Sequence, residues 1–454
     1  MKIRDGIALA VLAAFQAGIV SADDPGAPQL IVRATYDTGL GANGAEVISV
    51  RHTDAMAVLT NIAGSVDILD LSDPFNPVSL QRVPIDTTTG SPNSVAIHPH
   101  HDYFLVVTGK SAPTGLPGTV FAYRLDGTLL DSATVGNQPD SIAISPNGRY
   151  AVIANEAEGT EPPPGASTGS NGGPGSISVI DLSGFNGVVP AELVVTTIAL
   201  SALDPLELPG LSSGRTDDLA RLSIDHTPGT LEPEGVAFSP DSRLAYLTLQ
   251  ENNAVIRLNL HTGELEVLDL GRVDHLADLT VNTPPAYVPN QLLTAFREPD
   301  GIEVDQTGRF FITADEGDTR NATGGGSVRG GRTVSVFDAD SGNFIADTGS
   351  QLDDVANAAG LYPDSRSNRG GSEPEGLDLT HFGGITIAAV ALERANAVAL
   401  VDLSRPSKPK VAAIAPVGVG PETVKFFRIG SRLFIASANE VSGTVSILEV
   451  VVSD

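Results

Sequence analysis

A short pattern recurs seven times along the chain, and this repetition limits the possible folds more than any other feature. Each copy opens with an acidic or amide residue, continues into a short apolar strand and then reaches a polar turn. The copies begin at Ala45-Glu46-Val47, Pro92-Asn93-Ser94, Pro139-Asp140-Ser141, Pro233-Glu234-Gly235, Pro299-Asp300-Gly301, Pro374-Glu375-Gly376 and Pro421-Glu422-Thr423. The first three starts are 47 residues apart. Repeats of roughly 40–50 residues are typical of propeller blades.

Each copy predicts four antiparallel strands, which together make one propeller blade. In the third copy, Ile142–Ile144 and Tyr150–Ala154 flank a turn, and Ile177–Leu182 alternates as a third strand. The sequence therefore predicts an all-β fold, a seven-bladed β-propeller of four-stranded antiparallel blades. The last copy supplies only three strands, and we expect Leu30–Tyr36 near the N-terminus to add the fourth and close the ring. An open solenoid is the alternative.

The first 22 residues have the features of a cleaved signal peptide. Lys2 and Arg4 precede the apolar stretch Ile7–Val20, and Val20-Ser21-Ala22 fits a small-residue cleavage site. We expect residues 1–22 to be removed and residues 23–454 to form one propeller domain, secreted to the periplasm or the cell exterior. An N-terminal anchor or buried helix is the alternative. No later stretch predicts a membrane span in the mature chain.

The charge balance excludes several classes of partner. The chain carries 55 acidic and 27 basic residues, for a formal net charge of −28. A nucleic-acid-binding protein needs a basic face, and an anionic lipid surface would repel this chain. The absence of Cys excludes disulfides, thiol catalysis and Cys-ligated metals. An acidic surface suits solubility alone, or the binding of divalent cations.

The long insertions between predicted strands all fall on one side of the propeller. In a four-stranded blade, the ends of the second and fourth strands and the start of the first share one side, here called the upper face. The insertions are Glu158–Ser176, Ser201–Glu232, Gly271–Glu298, Gly317–Arg332 and Ser350–Glu373. Long loops on a rigid scaffold commonly carry function. We therefore expect a binding face there, with tolerated decoration of the scaffold as the alternative.

Two tiers of carboxylates also fall at the upper face. The first tier follows the start of each first strand and comprises Glu46, Asp140, Glu234, Asp300, Glu375 and Glu422. The second tier ends the second strands, at a spacing of 17 to 19 residues from the starting Pro, and comprises Glu156, Glu251, Glu316, Glu393 and Glu440. Blade two is the gap, because Asn93 replaces the first acid and no acid follows its second strand.

Carboxylates this close would repel one another and raise each other's pKa values, so something should compensate them. Hard cations are one possibility, and Ca²⁺ is the cofactor such ligands would hold, with the first tier as metal ligands. A second possibility is neutralisation by arginines of the insertions and of blade six, among them Arg332, Arg366, Arg369 and Arg394. A third is structural, with acids bonded to the backbone of the next blade. The residues expected at the binding face are Glu156, Glu251, Glu316, Asp318, Arg320, Glu393, Arg394, Asn439 and Glu440.

The repeats resemble the choice-of-anchor I family of exported bacterial propellers, which is related to the mesenchyme-specific cell surface glycoprotein. The matching stretches are Pro299-Asp300-Gly301-Ile302, Ala314-Asp315-Glu316-Gly317-Asp318-Thr319-Arg320, Pro374-Glu375-Gly376-Leu377, Leu392-Glu393-Arg394 and Ala438-Asn439-Glu440-Val441-Ser442-Gly443-Thr444. The resemblance covers about residues 30–452. It implies a propeller fold and a location outside the cytoplasm rather than a particular reaction.

Two classes of function fit these features. The first is a secreted binding or interaction protein with an acidic, cation-binding upper face and an unidentified ligand or surface partner. The second is a calcium-dependent hydrolase of the phosphoesterase or lactonase type. Hydrolysis would need a metal-bound water and a general base, for which Glu316 and Glu440 are the candidates. Propellers host many chemistries, so the fold does not decide between them.

Overall fold

Four-stranded antiparallel sheets follow one another along the chain, one for each sequence repeat. The computed structural model describes residues 28–109, 116–157, 175–187, 192–200, 231–250, 252–317 and 330–452. Within these residues seven such sheets form, and each pairs its strands in the order inner to outer. The predicted seven-bladed β-propeller is therefore confirmed. The predicted signal peptide, residues 1–22, lies outside the described residues.

The strands are numbered in chain order. The closing strand and blade one contain β1 (Gln29–Asp37), β2 (Ile48–Arg51), β3 (Met56–Asn61), β4 (Ser65–Asp70) and β5 (Val78–Pro84). Blades two and three contain β6 (Ser91–Ile97), β7 (Tyr103–Gly109), β8 (Pro117–Arg124), β9 (Leu129–Asn137), β10 (Pro139–Ile144), β11 (Tyr150–Asn155), β12 (Ser176–Asp181) and β13 (Val195–Ala199). Blade four and the hairpin after it contain β14 (Val236–Phe238), β15 (Leu244–Leu249), β16 (Ala254–Asn259), β17 (Leu265–Asp269), β18 (Arg272–Ala277) and β19 (Gln291–Phe296).

The remaining elements complete the ring. Blade five and its insertion contain β20 (Ile302–Val304), β21 (Phe310–Asp315), β22 (Thr333–Asp338), β23 (Phe344–Asp347), α1 (Gln351–Ala358) and a 3₁₀ turn (Asp364–Arg366). Blades six and seven contain β24 (Pro374–Phe382), β25 (Ile385–Leu392), β26 (Ala397–Asp402), β27 (Lys410–Pro416), β28 (Pro421–Ile429), β29 (Arg432–Asn439) and β30 (Thr444–Val451). Among the described residues, no helix has the length and hydropathy needed to cross a bilayer.

The hydrophobic core lies between neighbouring blades. Second strands are covered on both faces, so they read as continuous apolar runs, and every residue of β7 is buried. Fourth strands form the rim, and most of β5 is exposed. Between blades one and two, Val66 and Ile68 pack with Phe104 and Phe121. These contacts between blades hold the inner strands, and whatever their side chains carry, in fixed positions around the axis.

The two ends of the chain close the ring. β1 pairs antiparallel with β30 over Gln29–Asp37 and Thr444–Val451, so the first strand completes blade seven. The closing strand expected at Leu30–Tyr36 is thereby confirmed. Leu30 is fully buried in the core between blades six and seven. Closure pairs a strand edge that would otherwise be open to another chain.

Two of the upper-face insertions contain secondary structure that their composition did not indicate. Gly271–Glu298 forms the β18–β19 hairpin, which buries Val273 and Leu293. Ser350–Glu373 forms α1, whose Leu352 and Ala356 pack into the core of blades five and six. The expectation of irregular loops was therefore wrong for these two segments, because packing onto the blades stabilises strands and a helix too short to be recognised alone. Most of the other three insertions lies outside the described residues.

Candidate functional site at the upper mouth of the channel

First strands from all seven blades surround a channel along the propeller axis. Its cavity has a volume of about 1330 Å³ and is open to solvent. Five of the six first-tier acids line it, namely Glu46, Asp140, Asp300, Glu375 and Glu422. Their position follows from the sequence, because each acid begins a first strand and all first strands point the same way along the axis. We call the upper end of this channel the mouth.

A β-bulge at the start of the first strand places several of these acids. In blade three, Pro139 pairs with Asn155 and Ser141 pairs with Ala154, so Asp140 is the extra residue between two ladder positions. Register shifts at the equivalent points surround Glu375 in blade six and Glu422 in blade seven. A bulge bends the strand and turns a side chain away from the regular pleat. Here it directs the carboxylates into the mouth.

Three second-tier acids, Glu316, Glu393 and Glu440, lie beside first-tier acids. Pro421 at the start of β28 pairs with Asn439 at the end of β29, so Glu440 follows directly beside Glu422. On the side of the mouth formed by blades five to seven, the carboxylates make two groups of three. In each group, ligand oxygens lie within 4.8 Å of one another, and the groups are Glu316, Glu375 and Glu393, and Glu393, Glu422 and Glu440. Glu393 belongs to both groups.

Glu393 is the most enclosed of these five acids. Its side chain is only 5% exposed. One carboxylate oxygen, Oε1, pairs with the guanidinium of Arg394. The other, Oε2, is buried and has no hydrogen-bond partner in the described part of the chain. Only a neighbouring carboxyl that kept its proton, such as Glu375, could donate to Oε2. A buried acceptor without a donor is costly, and it marks a place where a proton or a cation belongs.

Burial, more than mutual repulsion, raises the pKa values of these carboxyls. Removal from water raises the pKa of Glu316 to about 8 and that of Glu422 to about 9, with neighbouring acids adding to both shifts. The pKa of Glu375 lies well above its ordinary value for the same reasons, and the pKa of Glu393 is also raised. Without a cation, this side of the mouth therefore keeps protons at neutral pH.

Amide side chains donate hydrogen bonds to two second-tier acids. Gln250, at the end of blade four's second strand, donates a hydrogen bond of 2.7 Å to Glu316 of blade five. Gln138 donates one of 2.7 Å to Glu156 in blade three. Neither glutamine was a candidate from the sequence, because a Gln in a turn carries no signal of its own. The first of these bonds orients Glu316 within its group.

The arginines reach the site through Glu373, a residue that the sequence did not indicate. Arg366 forms two-pronged contacts with Glu373 at 2.5–2.9 Å, and Nε of Arg394 adds a bond of 2.8 Å. Arg332 lies elsewhere, because it pairs with Asp353 and donates to backbone carbonyls of the insertion. Of the five acids in the two groups, only Glu393 contacts an arginine among the described residues. Arginine therefore balances one charge of this cluster.

The remaining predicted residues lie in several different places. Burial raises the pKa of Glu46 to about 8, and the nearby carboxylates of Glu440 and Asp140 add to the rise. The amide of Asn439 is engaged within blade seven, where it bonds Thr444 and Ser446 instead of facing the mouth. Glu234 is buried near the start of blade four's first strand. Glu251, Asp318 and Arg320 lie outside the described residues.

Bonds between neighbouring first strands come from the residue after each acid. Ser94 accepts the backbone N–H of Ile142 at 3.2 Å, and Thr423 accepts that of Ile48 at 3.0 Å. In blades four to six this position is glycine, and a Cβ at Gly376 would lie 2.3 Å from the carbonyl oxygen of Glu422. Backbone approaches this close admit only glycine. These contacts join the blades without using the carboxylates.

A second charged cluster lies deeper in the channel. Lys425 of blade seven contacts Glu303 of blade five at 3.2 Å, and Asp378 of blade six lies nearby. The equivalent positions in blades two to four are alanines, Ala96, Ala143 and Ala237. Burial raises the pKa of Glu303 to about 7, and the ammonium of Lys425 opposes that rise. The charged residues of the channel wall thus concentrate on the side of blades five to seven.

The match to a family model agrees with this architecture. The model of the choice-of-anchor I domain matches residues 46–329 and 326–406, which is most of the propeller. The chain belongs to the choice-of-anchor I family. Membership favours an extracellular or surface-associated protein. No curated protein matches the sequence.

Among the solved structures that resemble this fold, one covers nearly the whole length of the chain. It is the hydrazine synthase of Kuenenia stuttgartiensis, with a TM-score of 0.56. The likeness covers 91% of this chain and 97% of that one at 15% sequence identity. Identity this low carries the fold and not the activity.

Proposed function

We propose that this choice-of-anchor I protein is a secreted interaction protein that binds a hard divalent cation, Ca²⁺, at the mouth of its channel. One observation carries the proposal. Among the described residues, no amide, hydroxyl or cationic group donates to the buried Oε2 atom of Glu393, and only a protonated carboxyl such as Glu375 could do so. Carboxylates of blades five, six and seven surround this atom. A cation would satisfy that atom and remove the repulsion between its neighbours.

The chemistry of these ligands favours calcium over softer metals. All the groups concerned are carboxylates, and Ca²⁺ takes six to eight oxygen ligands at about 2.3–2.6 Å in flexible geometry. The mouth is open to solvent, so water and ligand oxygens have access to the remaining coordination positions. A partner that presents carbonyl, hydroxyl or carboxylate oxygens would then bind to the cation and the surrounding acids together.

Thermal unfolding with and without calcium tests the proposal. Saturating Ca²⁺ should raise the Tm of the metal-stripped protein, since a ligand present at about 100 times its Kd stabilises the folded state by about 2.7 kcal/mol. Glu393→Gln should remove most of that rise, and Glu375→Gln should reduce it. Glu264→Gln, at an exposed turn on the rim, is the matched control and should keep it. An unchanged Tm for the unmodified chain, with no binding heat in calorimetry, would reject cation binding.

Glu316 favours hydrolysis as a second candidate function. Gln250 holds the Glu316 carboxylate beside the candidate ion, and an oxygen of Glu316 that does not ligate the ion could act as a general base. Phosphomonoesters, phosphodiesters and lactones should then be hydrolysed with Ca²⁺ and not with chelator. Glu316→Gln should abolish turnover, and Glu440→Gln tests the alternative base. The absence of turnover in the calcium-loaded protein would leave the interaction function alone.

A further inference from the structure

The two groups of carboxylates at the mouth overlap at one residue. Glu316 follows β21 in blade five, Glu375 begins β24 in blade six, and Glu422 and Glu440 both belong to blade seven. Only Glu393, at the end of blade six's second strand, lies within 4.8 Å of the ligand oxygens in both groups. The groups are therefore neighbours on either side of a single carboxylate.

We propose that the mouth holds two divalent cations, bridged by the carboxylate of Glu393. This inference rests on the cation binding proposed above and assigns the ions to two separate ligand sets. The first ion, between blades five and six, takes Glu316, Glu375 and Glu393. The second, between blades six and seven, takes Glu393, Glu422 and Glu440. Because Arg394 holds Oε1 of Glu393, the bridge would use the single oxygen Oε2, shared between the two ions.

The state of Glu393 supports a bridging role. Its Oε2 atom is buried and receives no hydrogen bond from an amide, hydroxyl or cationic group of the described residues, and its side chain is only 5% exposed. Arg394, the cation that contacts Oε1, is anchored on its other edge by Glu373. The guanidinium therefore fixes the carboxylate of Glu393 in place. A carboxylate held between two sets of acids, with a buried free oxygen, is oriented for metal ligation before any ion arrives.

Once cations displace the protons of these carboxyls, the charge balance favours two ions over one. The five acids of the two groups carry five negative charges when ionised, and Arg394 offsets one of them. Glu373 is separately balanced by Arg366. A single divalent cation would leave two negative charges of this buried cluster uncompensated. Those charges would belong to the group that does not ligate the ion. Two divalent cations bring the cluster to neutrality.

Metal stoichiometry of the full chain tests the inference. The metal-stripped protein is titrated with Ca²⁺ in equilibrium dialysis and calorimetry, and two ions per chain are expected. Glu375→Gln should lose the first ion and keep the second, while Glu440→Gln should lose the second and keep the first. Glu393→Gln should weaken both by roughly tenfold or more. Circular dichroism and size exclusion confirm that each variant is folded, and Glu264→Gln should bind two ions.

The outcomes separate this inference from the proposed function. No bound calcium in the unmodified chain rejects both. One ion per chain, lost equally in Glu375→Gln and Glu440→Gln, keeps the cation function and overturns the pair. Two ions of which Glu393→Gln loses only one overturn the bridge. A shared ligand is supported only if Glu375→Gln and Glu440→Gln each lose one ion, and Glu393→Gln weakens the binding of both.

Discussion

The two sides of the channel mouth are built on the same blade and carry different chemistry. On the side of blades five to seven, Glu316, Glu375, Glu393, Glu422 and Glu440 converge within two overlapping groups. On the side of blades two to four, Asn93 replaces an acid and donates to the carbonyl of Pro139, and Glu156 is satisfied by Gln138. The difference shows that the fold supplies positions around the axis, while individual side chains decide whether a position can bind a cation.

The same asymmetry continues below the mouth. Glu303, Asp378 and Lys425 occupy one side of the channel, and alanines occupy the equivalent positions of blades two to four. The contacts between inner strands differ as well. Glycines allow close backbone approach in blades four to six, whereas Ser94 and Thr423 bond across blades by their hydroxyl groups in blades two and seven.

The largest expected effect concerns these contacts between inner strands. Gly376→Ala should lower the free energy of unfolding by about 3 kcal/mol, because its Cβ would lie 2.3 Å from the carbonyl oxygen of Glu422. Ser94→Ala should cost only about 1 kcal/mol, the loss of one hydrogen bond from Ile142. Denaturant midpoints of the two variants measure the difference. Equal midpoints would contradict this difference. They would show that the contact between blades six and seven accommodates an added methyl group as readily as the contact between blades two and three accommodates the loss of a hydroxyl.

The next effect is a dependence of stability on pH in the absence of metal. Burial raises the folded-state pKa values of Glu422 to about 9 and of Glu316 to about 8, from ordinary values of 4.5. Between the ordinary pKa and the raised folded-state pKa, the folded protein holds protons that the unfolded chain has released. The free energy of unfolding therefore falls as the pH rises through this range. One pKa unit corresponds to about 1.4 kcal/mol, and we expect a loss of at least about 1 kcal/mol between about pH 5 and pH 9.

Thermal unfolding across that pH range, in chelator, measures this loss. Glu422→Gln should flatten the profile, because an amide carries no charge to release, and Glu264→Gln should leave it unchanged. Added Ca²⁺ should restore stability at the alkaline end by compensating the ionised carboxylates. A metal-free protein that grows more stable from about pH 5 to pH 9 would contradict the assignment of these raised pKa values.

The smallest effect concerns the charged cluster deeper in the channel. Lys425 and Glu303 contact each other at 3.2 Å, but their side chains are 33% and 23% exposed to the channel, so water screens the pair. Lys425→Met should therefore cost only about 1 kcal/mol. The double variant Lys425→Met with Glu303→Gln should recover part of that cost. A double-mutant cycle of denaturant midpoints gives the coupling, and additive effects would show that the pair contributes nothing.

Local sequence pattern was sufficient for the architecture of this protein. The Pro–acid starts, the apolar strands and the turns predicted seven blades, and the three-stranded last repeat pointed to Leu30–Tyr36 as the closing strand. The constant spacing of 17 to 19 residues also placed Glu316, Glu393 and Glu440 at one level of the molecule. These features depend on residues close in the chain, where strand period and turn chemistry act directly.

Contacts between blades were decided only by the tertiary structure. Several contacts join residues from different repeats or from an insertion. Two groups share Glu393, Gln250 donates to Glu316, and Arg366 and Arg394 both pair with Glu373. Arg332, a candidate partner of the acids, instead binds carbonyls and Asp353. Such pairings depend on the rotation between blades, on bulges and on rotamers. The repeat therefore determines which residues reach the mouth, and the packed ring determines which of them meet.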